Sequence, residues 1–258
     1  MKLTVLLENT AACPAVEAEH GLSLFIETDT HRILFDMGQS DLFARNAEVL
    51  GVDLTTADLA VLSHGHYDHG GGLARFLEIN RHAPVYVNPH VFEPHYNGTE
   101  KYIGLDTALA GETRLIPTCD GQKIGEGLTL YTADGRKKQH DLGAFGLMME
   151  KDGVLVPEDF RHEQYLLIEE AGRRILVSGC SHNGIMDIME WFRPDVLIGG
   201  FHFTKLSPGK ELEDAAGFLN GFPTVYYTCH CTGTEQYAFL QTRMENLHYI
   251  ACGETILL

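Results

Sequence analysis

Ser63-His64-Gly65-His66-Tyr67-Asp68-His69-Gly70 places three imidazoles and one carboxylate within six residues, directly after the apolar run Leu59-Ala60-Val61-Leu62. Imidazole and carboxylate together suit zinc, and also iron or manganese. One short loop rarely needs so many ligand-type side chains for packing. In extended chain His64 and His66 lean to the same side, and Asp68 and His69 follow at the turn into a predicted helix. The segment can offer ligands to two adjacent ions. A polar loop of solvated histidines is the bland alternative, and it loses ground because further ligand-type residues recur along the chain.

Outward from the loop, short apolar or alternating segments bounded by turn residues predict strands at 3–8, 22–28 and 32–36. Leu42, Phe43, Ala47 and Leu50 share one helical face, and Gly51 suits the end of that helix. Residues 59–62 read as a buried strand feeding the loop. A helix marked by Leu73, Phe76 and Leu77 and a strand at 84–88 follow. The second half repeats the theme: a hairpin at 164–169 and 173–178, a helix at 185–192, a strand at 195–198, a helix at 211–219 and a strand at 224–228. A helix over 237–244 and a strand over 249–252 close the pattern. Strands outnumber helices, and helices follow strands in both halves, which fits an α/β chain of two packed sheets with helices outside. Residues 93–127, rich in glycine and proline, read as irregular and as a candidate substrate cap.

Two distant segments resemble the loop in placement. Ile175-Leu176-Val177-Ser178-Gly179-Cys180-Ser181-His182 is an apolar strand running into Gly179 and then polar residues, and Val225-Tyr226-Tyr227-Thr228-Cys229-His230 is another. His182 and His230 are therefore metal-ligand candidates, needed because four ligands from one loop leave two tetrahedral sites incomplete. His202, after Leu197-Ile198-Gly199-Gly200-Phe201, is a third strand-end histidine, suited to substrate binding or proton donation. Cys180 is an additional candidate ligand. Asp36 is a candidate to orient a ligand histidine through its other ring nitrogen. His162 ranks below His182 for the same role. Cys229 and Cys231, flanking His230 in extended chain, read as packing thiols; His20 carries no comparable context, and His90 and His95, near the candidate cap and able to meet substrate there, read rather as solvated.

The spelling H-x-H-x-D-H resembles the metallo-β-lactamase-fold hydrolases. Gly179-Cys180-Ser181-His182, Gly199-Gly200-Phe201-His202 and Cys229-His230-Cys231-Thr232-Gly233, with Leu34-Phe35-Asp36-Met37-Gly38 and Lys101-Tyr102-Ile103-Gly104-Leu105, look like one branch of that superfamily. This is the 7,8-dihydropterin-6-yl-methyl-4-(β-D-ribofuranosyl)aminobenzene-5′-phosphate synthase-like branch. The resemblance covers nearly the whole chain. It implies a single domain over 1–258 and a four-layer αβ/βα sandwich with the metal site at one edge between the sheets. Many members carry a bridging aspartate where this chain has Cys180, which leaves open a one-metal centre.

Composition bounds the partners. The formal net charge of −17 repels phosphate backbones and anionic lipid, so no nucleic-acid or membrane partner is expected. Bound ions would still reverse the potential locally for a small anionic substrate. The apolar start at Met1–Leu7 is too short for a signal peptide, and no stretch is long enough to span a bilayer, which points to the cytoplasm. The six cysteines form no C-x-x-C pair and read as free thiols. A homodimer is compatible with all of this.

These features together predict a metal-dependent hydrolase with one or two Zn2+ ions, iron or manganese being the alternatives, acting on a small phosphorylated or pterin-like molecule. His64, His66 and His182 would hold one ion, and Asp68, His69 and His230 the other. The ions would hold a hydroxide for attack on a carbonyl or phosphorus centre. Asp68 would also accept a hydrogen bond, and His202 would serve the leaving group. An iron-dependent redox enzyme and a non-catalytic ligand sensor are the rival classes.

Overall fold

The computed structural model describes residues 1–140 and 142–258. Its strands are apolar on both faces, and the two faces go to different cores. Leu24, Ile26, Ile33, Phe35, Leu59 and Val61 point one way, while Phe25, Leu34, Ala60 and Leu62 point the other. In the second half Leu166, Ile168, Ile175, Val177, Val196 and Ile198 meet the first set. Tyr165, Leu167, Leu176 and Leu197 face away. A side-chain period of two therefore sorts each strand between a shared central core and an outer helical one. Each large apolar side chain so buried gains roughly 1.5–3 kcal/mol.

The result is two seven-stranded mixed sheets packed face to face with helices outside. The first sheet runs Thr255–Leu257, Lys2–Leu7, Ser23–Glu27, Arg32–Phe35, Leu59–Val61, Val85–Val87, Leu115–Pro117. The second runs Leu247–Tyr249, Val225–Thr228, Val196–Ile198, Arg173–Val177, Gln164–Glu170, Leu128–Thr132, Gln122–Gly125. Each sheet has a parallel part and an antiparallel part. Helices Leu42–Leu50 and Leu73–Ile79 cover the first sheet, and Ile185–Phe192, Lys210–Leu219 and Thr234–Leu240 cover the second. As the sequence predicts, Gly51 ends the first helix, at φ 69°. Among the described residues no helix is long and apolar enough to cross a membrane.

Three sequence expectations change. Residues 93–127 are not one irregular stretch: Leu115–Pro117 edges the first sheet, Gln122–Gly125 edges the second, and His95–Asn97 and Lys101–Tyr102 enter a third sheet. That third sheet is four-stranded and antiparallel, and its other members are Leu147–Lys151 and Val154–Pro157. The last helix spans 234–240 rather than 237–244, because it starts directly after Gly233 closes the His230 turn. The following strand accordingly lies at Leu247–Tyr249 rather than 249–252.

The parallel strands set the site. Leu59–Val61, Arg173–Val177, Val196–Ile198 and Val225–Thr228 end at the same edge, and the loops bearing His64–His69, His182, His202 and His230 follow their carboxyl ends. The two sheets touch there through Gly179, whose φ is 65° and whose Cβ, if present, would lie 2.5 Å from Ser63 Oγ. Gly179→Ala combines a left-handed backbone with overpacking, and a loss of about 2–4 kcal/mol is expected in urea unfolding.

Candidate metal centre

Asp36 has no exposed surface and adopts φ 59°. Its Oδ1 accepts the backbone N–H of Ser63 at 2.7 Å, and its Oδ2 accepts both Ser63 Oγ–H and His69 Nδ1–H at 2.7 Å. Ser63 Oγ, having donated to Asp36, accepts His64 Nδ1–H at 2.8 Å. One carboxylate thus fixes the start of the loop and leaves Nε2 of His64 and of His69 facing inward. The loop is also tied to the other sheet, where Gln164 N–H donates to Ser63 O and Gln164 Nε2 to Leu62 O, both at 2.8 Å.

The other two histidine turns are held in the same manner. Buried Glu163 accepts the backbone N–H of His182 (2.6 Å) and Asn183 (3.0 Å), the Asn183 side-chain amide (2.8 Å) and Tyr165 O–H (2.7 Å). Buried Glu8 accepts the N–H of His230 at 2.6 Å and Tyr249 O–H at 2.7 Å. Asn9 Oδ1 accepts His230 Nδ1–H at 2.8 Å, while Asn9 Nδ2 donates to His230 O at 3.4 Å, which fixes the amide's orientation. His230 Nε2 is therefore the nitrogen turned inward.

The inward atoms converge. Nε2 of His64 lies 3.3 Å from Nε2 of His182, and ligand atoms of His64, His66 and His182 form one group within 4.8 Å. Nε2 of His69 lies 3.2 Å from Nε2 of His230 and 3.1 Å from Cys180 Sγ. Asp68 Oδ2 lies 3.3 Å from His230 Nε2 and 3.9 Å from His69 Nε2. The two groups adjoin through the His64 and His69 rings, 4.1 Å apart.

This donor set fits metal ions. His69 and His230 have each committed Nδ1–H outward, so two lone pairs face each other at 3.2 Å unless a cation lies between them. Burial opposes charge on His69, but the carboxylates of Asp36 and then Asp68 outweigh it and raise its pKa to about 9. The site calls for positive charge at that point, and a proton or a metal ion supplies it. Burial disfavours the Asp68 carboxylate, yet His69, His20 and His230 hold its pKa well below the ordinary value. Burial pushes the Cys180 thiol well above its ordinary value, so a thiolate forms there only beside a cation.

The structure brings together every residue singled out from the sequence. The His202 ring lies tilted against that of His182, with centroids 4.2 Å apart, φ 55° and neither ring nitrogen hydrogen-bonded. Two cavities, of about 340 and about 240 Å3, share His182 and His202 as walls. Three readings are corrected. Cys231 is not a remote packing thiol: it lines the smaller cavity and lies within ligand reach of Cys180 and His202. His230 takes φ 48° and starts a short turn, so the alternation of an extended chain does not apply. Cys229 does pack in the central core. His20 is drawn to the site, with Nε2 3.1 Å from Asp68 Oδ2. His95 is buried rather than solvated, with Nδ1 2.6 Å from Glu158 Oε2. Glu8 and Glu163 carried one overlooked signal each: Glu8 is a charge at the end of an apolar strand, and Glu163 sits at the start of another.

Comparison with known proteins places the chain in a family. The family model described as Metallo-beta-lactamase superfamily matches residues 16–225. The crystal structure of Tm1679, described as a metal-dependent hydrolase of the beta-lactamase superfamily, superposes with a TM-score of 0.85 at 28% identity, covering 100% of this chain and 99% of that one. An uncharacterised protein of Methanocaldococcus jannaschii is 28% identical over 98% of this chain and 99% of its own length. The same organism's 7,8-dihydropterin-6-methyl-4-(beta-D-ribofuranosyl)-aminobenzene-5'-phosphate synthase is 25% identical over 93% of this chain and 90% of its own.

Asp36→Asn replaces an acceptor oxygen by an N–H2 group among three donors. The variant is expected to lose about 1–3 kcal/mol in urea unfolding, and to bind less metal than wild type by elemental analysis.

Proposed function

The chain belongs to the metallo-beta-lactamase superfamily, and on that premise we propose that it is a metal-dependent hydrolase of a small phosphorylated or pterin-like molecule, with one or two zinc ions as its resident metal. The observation that carries this reading is the pair of facing ring sets, His64/His182 and His69/His230, with Cys180 beside them. His64, His66 and His182 would hold one ion, and Asp68, His69 and His230 the other, with Cys180 within reach of the second. Such ions supply Lewis acidity and acidify water towards a pKa of about 7.

The chain's own residues supply the rest. Asp68 accepts a hydrogen bond from the attacking group and orients it. His202, with both ring nitrogens free at the junction of the two cavities, hands a proton to the leaving group. The substrate class rests on two supports. Lys101 and Lys205 line the smaller cavity in a chain of net charge −17. Lys101 Nζ sits 5.4 Å over the Tyr67 ring, and Lys205 Nζ donates to Phe145 O at 3.5 Å. Two cations at the mouth of so acidic a protein suit an anionic substrate. The second support is the M. jannaschii synthase, named for a compound with a pterin and a phosphate. That name also favours a second reading, transfer to an acceptor other than water at the same centre.

Metal analysis and a turnover panel of phosphoesters, lactones and thioesters test the reading. His64→Ala and Asp68→Ala are each expected to lose bound metal and activity together, and unchanged metal and turnover in both would remove the site. Lys101→Ala and Lys205→Ala are each expected to raise KM for an anionic substrate about tenfold, the effect of one lost charged hydrogen bond, with kcat nearly constant. Synthase-type transfer would be recognised by product formation only when a second substrate is added.

A further inference from the structure

We propose that His95 and Glu158, both carried by the small third sheet, are positioning residues of the metal centre that hold His66 through its second ring nitrogen, and that His162 is a strut of the loop and not a ligand. This rests on the reading that the centre binds metal.

His66 belongs to two clusters. One is the ligand group with His64 and His182, and the other joins it to His95, Glu158 and His162, again with ligand atoms within 4.8 Å of one another. An imidazole that meets an ion through one nitrogen carries its proton on the other, and that proton needs an acceptor. Nε2 of His66, of His95 and of His162 are all buried without a hydrogen-bond partner.

The tautomers assign the roles. His95 Nδ1–H donates to Glu158 Oε2 at 2.6 Å, so His95 Nε2 keeps its lone pair and can receive the His66 proton. The His66 and His95 rings meet edge to face, with centroids 5.5 Å apart. His162 is the opposite case. Its Nδ1 accepts Gly65 N–H at 2.8 Å, so its proton sits on Nε2, directed towards Glu158 Oε1 at 3.7 Å. A neutral ring in that state has no lone pair left for an ion. The same fact argues against a third ion among these four residues.

The chain of contacts runs from His66 to His95 to Glu158, whose side chains are 1% and 0% exposed in the last two cases. His95 opens the strand His95–Asn97, and Glu158 directly follows Val154–Pro157. Backbone bonds lock both into the sheet: Ile103 N–H to His95 O at 2.8 Å, and Glu158 N–H to Leu147 O at 3.0 Å. An ion that pulls on His66 therefore also pulls on the third sheet, and by reciprocity the docked sheet favours the ion.

The test measures Zn2+ affinity by chelator competition on full-length protein, the Co2+ absorption spectrum, and hydrogen exchange with and without Zn2+. His95→Ala and Glu158→Ala are expected to weaken Zn2+ binding about ten- to hundredfold and to shift the Co2+ spectrum. Glu158→Gln keeps an acceptor for His95 but loses the charge, and should fall between them and wild type. His162→Asn keeps an amide oxygen for Gly65 N–H and should retain wild-type affinity and stoichiometry. Zn2+ should slow exchange in strands 95–97 and 147–151 of wild type but not of His95→Ala. If the alanine variants do not fold, Glu158→Gln decides. Wild-type affinity in the folded His95 and Glu158 variants, or a lost equivalent in His162→Asn, overturns the proposal alone. Wild-type protein that binds neither Zn2+ nor Co2+ overturns the metal-centre reading with it.

Discussion

The buried carboxylate of Asp36 is the interaction on which the centre depends. It sits at the end of the strand Arg32–Phe35, beside the strand that feeds the histidine loop, and it takes three hydrogen bonds at 2.7 Å from Ser63 and His69. Those bonds set the loop's path and decide which nitrogen of His69 faces inward, with His64 oriented through Ser63. A buried anion is costly alone, and here its partners are a serine, a backbone amide and an imidazole that gains charge beside it. Packing, hydrogen bonding and site electrostatics meet in one side chain.

The same device recurs at the other two turns. Glu163 gathers the amides around His182, and Glu8 gathers those around His230. Both serve chains that leave their strands in unusual conformations: Asp36, Ser181, His202 and His230 all have φ between 48° and 59°. Left-handed backbone at residues other than glycine costs about 1–3 kcal/mol each and persists where surroundings over-determine it. Its concentration at four neighbouring strand ends marks the edge where precise side-chain direction outweighs local strain. Buried carboxylates hold three of these turns, those at Asp36, Ser181 and His230, and at the fourth the Thr232 hydroxyl accepts Phe201 N–H at 2.8 Å.

The third sheet adds a cover. It lies outside the two-sheet core, and its small apolar cluster is Ile103, Leu147 and Phe160 with Tyr67 and Ala144. So few apolar contacts give a cover whose local stability is low compared with the central core. Phe145 and Phe160 line the larger cavity from this side, and Lys101 and Leu147 line the smaller. The walls of both cavities and the placement of His95 and Glu158 thus depend on the same few strands.

What the sequence by itself determined was whatever depends on near neighbours. The alternation at 22–28, 32–36, 164–169 and 173–178 announced two-faced strands, and the run at 64–69 announced a cluster of metal-ligand-type side chains. Histidines following apolar strands, at 182, 202 and 230, were legible because a strand's carboxyl end is itself a local pattern. What only the tertiary structure decided was everything that requires two distant segments to meet. The roles of Glu8 and Glu163 depend on which amides stand opposite them. Those of His20, His95 and Cys231 depend on how a loop, a cover strand and a left-handed turn come to face Asp68, Glu158 and Cys180. Which nitrogen of each imidazole is available is of the same kind, because it is set by the partner of the other one. That partner lies 33 residues away for His69 and 97 for His162, a separation no local pattern encodes.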